Sequence, residues 1–180
     1  MFKVGDEVAY GLHGKCVITA ISTKELGDET VSFYQIRAIK NPIMAKTQAS
    51  KGEAAILVPV DSASAKGLRP LMTKEDAEKA LLFLAEPDYH FELSSTNWVS
   101  KQKMLEDIIR KEGFTGFAKV IGHLHILQSR DVVPSSIVQK FFDNVCRIFS
   151  KELGEALGIQ TKDAEVLMNK ALKAKLAADN

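Results

Sequence analysis

The chain has 180 residues, of which 46% are hydrophobic and 26% charged, and its formal net charge is +1. This composition is ordinary for a folded globular protein and excludes wholesale disorder. The near-neutral balance excludes a protein that coats nucleic acid with its whole surface, but it allows a local basic patch. The length suits one large or two small domains, and we predict two, covering residues 1–72 and 73–180.

Targeting and redox features are sparse. The sequence has no run of eighteen apolar residues and no signal peptide at Met1 to Asp6, so we predict a cytoplasmic protein. Cys16 and Cys146 are far apart in sequence, which argues against a disulfide framework or a zinc site. Both are predicted to be small core residues.

The first third of the chain has the period of β-strands. Apolar and polar residues alternate on both sides of a turn at His13-Gly14, and Gly27-Asp28 suits a second hairpin turn. A polar stretch from Lys40 to Glu53 then precedes the strand 55–60, whose Pro59 indicates a sheet edge or a strand end. We predict a small, strongly bent β-barrel in which this edge is open to strand addition by a partner.

After Pro70 the period changes to 3.6, and five helices are predicted, so the fold class is α+β. Thr73 should cap the first helix and Pro87 end it, Pro134 suits the first turn of the fourth, and Thr161 should cap the fifth. The inward residues predicted for the five helices in turn are Ala77, Ala80, Leu81 and Leu84; Met104, Leu105, Ile108 and Ile109; Phe117, Val120, Ile121, Leu124 and Leu127; Ile137, Val138, Phe141, Phe142, Val145, Ile148, Phe149 and Leu153; and Ala164, Leu167, Met168, Ala171 and Leu172.

No catalytic set is visible in the sequence. The glycines lack the spacing of a phosphate-binding loop, and His123 and His125 are two residues apart, so on a helix they point away from each other. We therefore predict no catalytic residue, no metal, no cofactor and no enzymatic activity. A hydrolase would require a tight cleft that holds one of these histidines against a carboxylate and a nucleophile.

The only tryptophan, Trp98, follows Asn97 at a predicted helix start, with Lys101 and Lys103 just beyond. A flat ring beside two cations could wedge into distorted DNA while the lysines bind phosphates. Trp98 and Leu105 are also seven residues apart, which puts them on one helix face, so the ring could equally be a core residue. The residues alone leave both interpretations open.

One set of motifs runs through the chain: Phe2-Lys3-Val4-Gly5-Asp6 with Val8, Tyr10 and His13-Gly14, then Val58-Pro59-Val60, Gly67-Leu68-Arg69, and Asn97-Trp98 before the helices. With these motifs the chain resembles the CarD/CdnL family of bacterial transcription regulators over essentially its whole length. The opening motif also occurs in the polymerase-interacting module of transcription-repair coupling factors, whereas a barrel followed by a Trp-bearing helical domain is more specific.

The resemblance implies a Tudor-like, SH3-like N-terminal domain that binds the lobe of the RNA polymerase β subunit. It implies a helical C-terminal domain at the upstream edge of the promoter bubble, where a tryptophan at the position of Trp98 enters the minor groove and holds the open complex. Lys101 and Lys103 fall at nearby basic positions, and neither a membrane nor a small-molecule substrate is implied. The polymerase-binding residues implied are Lys24, Tyr34, Arg37, Leu57, Val58 and Pro59.

Two features depart from the family. The stretch from Lys40 to Glu53 is longer than the usual connection and could add or mask partner surface. From Leu71 onward the chain has 15 Lys and Arg against 16 Asp and Glu, so we expect appreciable DNA binding only when polymerase presents this domain. The predicted function is stabilisation of the open complex, and the alternative is a protein adaptor on polymerase that does not touch DNA and has Trp98 in its core.

Overall fold

The computed structural model describes residues 1–27, 29–39, 55–86, 97–129 and 136–178. Several features named in the sequence analysis lie outside these residues: the polar stretch 40–53, the predicted helix stop at 87, the proline at 134 and the second residue of the hairpin turn at 28. The chain divides into two compact units, Met1–Leu71 and Met72–Asn180, named here the sheet unit and the helical unit.

The sheet unit contains an antiparallel sheet of five strands with the spatial order β4-β3-β2-β1-β5. The strands are β1 (Glu7–Tyr10), β2 (Gly14–Leu26), β3 (Glu29–Ala38), β4 (Ile56–Pro59) and β5 (Leu68–Pro70). A single 3₁₀ turn, Gly11–His13, joins β1 to β2. β2 runs on to Leu26, directly before the turn at Gly27.

The predicted closed barrel is not shown. Within the described residues β4 and β5 are the two edges of the sheet and do not pair with each other, so the sheet is open. The pairing of β2 with β3 shifts register between Ile18 and Ala20. Such bulges bend a strand and increase its twist without closing the sheet.

The turn at Gly27 and the edge position of β4 agree with the sequence. Gly27 has φ 65°, which the hairpin turn between β2 and β3 needs, and Pro59 is both the last residue of β4 and part of an edge strand. The core of the sheet unit lies on one face of the sheet. It consists of Val8, Cys16, Ile18, Tyr34, Ile36, Val58, Ala63 and Leu68.

The helical unit contains five helices within the described residues, which confirms the α+β class. They are α1 (Lys74–Ala85), α2 (Trp98–Glu112), α3 (Phe114–Ser129), α4 (Ser136–Leu157) and α5 (Thr161–Ala178). Thr73 and Asp76 form a reciprocal capping box at the start of α1, as predicted. Thr161 is the first residue of α5 and not its cap, because the Gln160 carbonyl accepts the first helical N–H groups.

Most predicted inward residues of the helices are buried, six are partly buried, and three are exposed. Ile137, Leu127 and Leu167 are 60%, 41% and 37% exposed, respectively. Ile137 lies in the first turn of α4 and Leu127 near the end of α3. Leu167 directly precedes the buried Met168 and points about 100° away from it around α5. The helical period gives the angle between residues but not the extent of the partner helices.

Candidate interaction surfaces

The pairing register divides the residues of β2, β3 and β4 between two faces of the sheet. Residues opposite each other in an antiparallel ladder share a face, and neighbours along a strand alternate. Tyr34 and Val58 are opposite each other and are 2% and 1% exposed, so their side chains belong to the core. Among the residues that point to the other side, six form what we call the outer face: Lys24, Phe33, Gln35, Arg37, Leu57 and Pro59.

The outer face holds four of the six residues that the resemblance assigns to polymerase binding, namely Lys24, Arg37, Leu57 and Pro59. On neighbouring strands, Pro59 is opposite Phe33 and Leu57 is opposite Gln35. Lys24 and Arg37 point to the same side of the sheet, one beyond each end of these paired positions. Strand pairing therefore places on one side of the sheet residues that are up to 35 positions apart in sequence.

The side chains of Tyr34 and Val58 are core side chains, which corrects the prediction for these two residues. The Tyr34 hydroxyl accepts a hydrogen bond from the Phe2 backbone N–H at 3.2 Å, and the two rings meet edge to face with their centroids 6.0 Å apart. The family resemblance assigns the polymerase contact to consecutive residues of a strand. Because side chains alternate between the two faces of a strand, every second one of these residues points into the core. In this strand the inward positions are Tyr34 and Ile36.

The chemistry of the outer face is an apolar centre with cations at its ends. Leu57 is 38% exposed, Phe33 and Pro59 are half-buried, and Lys24 is exposed. The Nε of Arg37 is buried and has no hydrogen-bond partner within the residues that the structure describes. Sequence reasoning missed Phe33, although its position directly before an inward Tyr34 was a signal that it faces outward. An apolar patch bordered by cations suits a partner surface that is apolar and acidic.

Trp98 begins α2 and packs against α4. The Asn97 side chain caps the helix by accepting the Val99 N–H at 3.0 Å, which fixes where the helix starts. The Trp98 ring meets the ring of Phe141 edge to face, with centroids 5.8 Å apart and planes at 74°. Its Nε1 is buried and has no partner among the described residues, and the ring as a whole is half-buried. Trp98 is thus a packing residue that keeps part of its surface exposed.

Helical geometry separates the two lysines that were predicted to act with Trp98. At 100° per residue, Lys101 lies about 60° around α2 from Trp98, whereas Lys103 lies about 140° away. Lys101 is half-buried and Lys103 exposed. Only Lys101 is therefore on the tryptophan side of the helix. Sequence reasoning missed two exposed apolar residues here: Val99, next to Trp98 and 72% exposed, and Ile137, one turn before Phe141.

Comparison with known proteins adds a distant relative. The chain is 25% identical over 162 residues to a Bacillus subtilis (strain 168) protein named "Putative transcription factor YdeB". The similarity covers 90% of this chain and 96% of that protein, so it extends over both units. No protein-family model matches the chain.

The thiols of both cysteines have a pKa above the ordinary value. Burial raises the pKa of the Cys16 thiol to about 11, and burial with the nearby carboxylates of Asp143 and Glu165 raises the pKa of Cys146 to about 12. Both thiols are therefore protonated and weakly nucleophilic near neutral pH. No group of three or more His, Cys, Asp or Glu side chains that could hold a metal ion occurs in the part of the chain that is described. The same part contains no helix long and apolar enough to span a membrane.

Proposed function

We propose that this chain is a non-enzymatic transcription regulator that docks on the β subunit of RNA polymerase and stabilises the promoter open complex. The name of the distant relative supports a role in transcription, and the motif resemblance supports the polymerase and the open complex as targets. The observation that carries the docking half is the outer face, on which Lys24, Arg37, Leu57 and Pro59 come together.

In this proposal the outer face binds an apolar and acidic surface on polymerase. Leu57 and Pro59 supply the apolar contact, while Lys24 and Arg37 supply charge that favours encounter and orientation. β4 is an edge strand, so its backbone is also suited to pairing with a strand of the partner.

The helical unit would then act at the upstream edge of the bubble. Docking of the sheet unit raises the local concentration of the helical unit, so a weak DNA contact suffices even though this unit is nearly neutral. The contact shifts the promoter toward the melted state only if it is stronger there than on closed DNA. The exposed part of the Trp98 ring, with Lys101 on the same side of α2, is the proposed contact.

The docking half is tested by measuring binding of the full chain to the polymerase β-lobe fragment. Lys24→Glu reverses a charge on the outer face and should weaken binding at least tenfold, an effect that should shrink at high salt. Lys66→Glu makes the same charge change at an exposed turn of the same unit and serves as the matched control. Equal binding by the two variants would remove the outer face from the proposal.

A second candidate function is a protein adaptor on polymerase without DNA contact, and the Trp98–Phe141 contact favours it. The lifetime of open complexes separates the two functions. Trp98→Ala is compared with wild type at a temperature at which circular dichroism shows both fully folded. A shortened lifetime with intact polymerase binding supports the DNA contact, and an unchanged lifetime on several promoters supports the adaptor.

A further inference from the structure

One face of α5 is basic, and the function proposed above assigns no contact to it. Its residues Lys162, Val166, Asn169, Lys170 and Lys173 are all exposed. At 100° per residue these five positions fall within an arc of about 100°. The buried residues Ala164, Met168 and Leu172 lie on the opposite side of the helix. We call the five exposed residues the α5 lysine face.

Charge is segregated within the nearly neutral helical unit. α1 contains two lysines and three acidic residues, whereas α5 contains four lysines and two acidic residues. The two acidic residues of α5, Asp163 and Glu165, lie about 80° to either side of the centre of the α5 lysine face. Within the described part of the chain, no ion pair is seen for Lys162, Lys170 or Lys173. The face thus presents three cations to solvent.

We infer that the α5 lysine face is a second DNA-contacting surface, which binds the phosphate backbone of a duplex. The inference rests on the proposed function, because a unit that works at the promoter fork is held close to DNA. The rise of an α-helix puts Lys162 and Lys170 about 12 Å apart along the axis, and Lys173 about 4.5 Å further. A major groove is about 12 Å wide, so cations at the two ends of this face can reach phosphates on both sides of a groove.

The side chains of this face suit phosphate better than a protein partner. Lysine and asparagine donate hydrogen bonds to phosphate oxygens, and such contacts position a protein without reading sequence. Strong protein interfaces instead rely on Trp, Tyr and Arg in buried pockets and are depleted in lysine, and the α5 lysine face has none of those three residue types. Val166 alone gives too little apolar area for a protein interface.

The test is the salt dependence of DNA binding by the full chain. Fluorescence anisotropy with a short duplex of mixed sequence gives the slope of log K against log salt, which is about 0.9 for each phosphate neutralised. A variant with Lys162→Gln, Lys170→Gln and Lys173→Gln should reduce the steepness of that slope by about 2 to 3 and weaken binding at low salt. The control variant has Lys66→Gln, Lys74→Gln and Lys79→Gln, which removes the same charge from other exposed sites. It should leave the slope nearly unchanged.

Three results would overturn the inference. These are equal slopes for the two triple variants, no measurable binding by the wild type at low ionic strength, or loss of polymerase binding by the α5 variant with an unaltered DNA slope. Glutamine is a good helix former, so both variants should melt within a few degrees of wild type. The result is separable from the docking test, because Lys24→Glu should weaken polymerase binding without altering the contribution of α5 to the salt slope.

Discussion

The sheet unit and the helical unit present their candidate contact residues in different ways. In the sheet unit, a contact residue and a core residue are direct neighbours along a strand, as Leu57 and Val58 are, and the register decides which is which. In the helical unit, the main candidate, Trp98, is itself partly in the core because it packs on Phe141. In the sheet unit, different side chains make the partner contacts and the core contacts. In the helical unit, the Trp98 side chain would make both.

This difference predicts how variants behave. A change on the outer face should alter binding and leave stability nearly unchanged, because exposed strand positions make few core contacts. A change at Trp98 should alter stability whether or not the ring touches DNA. The contacts that hold the helical unit together therefore decide how far DNA contact by Trp98 can be separated from its packing.

The largest effect is expected for Gly116→Ala, at the crossing of α2 and α3. A Cβ at this position would lie 2.5 Å from the Ile108 carbonyl oxygen and 2.9 Å from the Ile109 Cα. Both are backbone atoms, so the helices must separate, and we expect a loss of about 3 kcal/mol despite the better helix propensity of alanine. Gly154→Ala, whose Cβ would lie 3.1 Å from the Ile159 carbonyl oxygen, should cost less. Urea unfolding of the two variants gives the comparison.

The rate of thiol labelling shows which of the two units Gly116→Ala destabilises. Cys16, in β2, is buried and Cys146, in α4, is partly buried. Burial raises the pKa of both thiols, so both react slowly near neutral pH and faster when the structure around them opens. Because the clash lies inside the helical unit, Cys146 should be labelled faster in the variant, with Cys16 as the reference. An unchanged rate at Cys146 would mean that the crossing is looser than the structure indicates.

Trp98→Ala should destabilise the chain by about 2 kcal/mol, less than a fully buried tryptophan would, because the ring is half-buried. Trp98→Phe keeps an aromatic edge for Phe141 and should lose about half as much. Chemical denaturation of the two variants measures both costs. If Trp98→Ala unfolds with wild-type stability, the ring does no packing and the contrast between the two units disappears.

The sequence predicted local features well and long-range contacts poorly. The cap at Thr73, the edge strand ending at Pro59 and the turn at Gly27 all follow from residue types within a few positions. The half-burial of Trp98 depends on Phe141, which is 43 residues away on another helix, and nothing near Trp98 indicates that partner. The inward position of Tyr34 could have been predicted from alternation along β3. Within the described residues β4 and β5 do not pair, and their placement is specified by no local pattern.

A smaller effect is expected at Glu152, a carboxylate only 8% exposed that accepts the Met72 backbone N–H at 3.2 Å. The bond ties α4 to the first residue of the helical unit, 80 positions earlier. Glu152→Ala leaves this buried N–H without its acceptor and should cost about 1.5 kcal/mol, while Glu152→Gln keeps an acceptor oxygen and should cost less. Hydrogen exchange at the Met72 amide should accelerate more in the alanine variant. Equal exchange in both would show that the bond does not hold this position.

The smallest effect is a pH dependence from His125 on α3. Burial lowers the pKa of this histidine from its ordinary value of 6.5, so the unfolded chain takes up the proton more readily than the folded one. Stability from this group is therefore fully present above about pH 6.5 and declines as the pH falls toward the lower folded pKa. His125→Gln should flatten the fall in unfolding free energy between pH 7 and pH 5, as measured by chemical denaturation at a series of pH values. A profile that His125→Gln does not flatten would mean that the ring is solvated in solution, and that α3 packs less tightly at this position than at its buried neighbours Leu124 and Ile126.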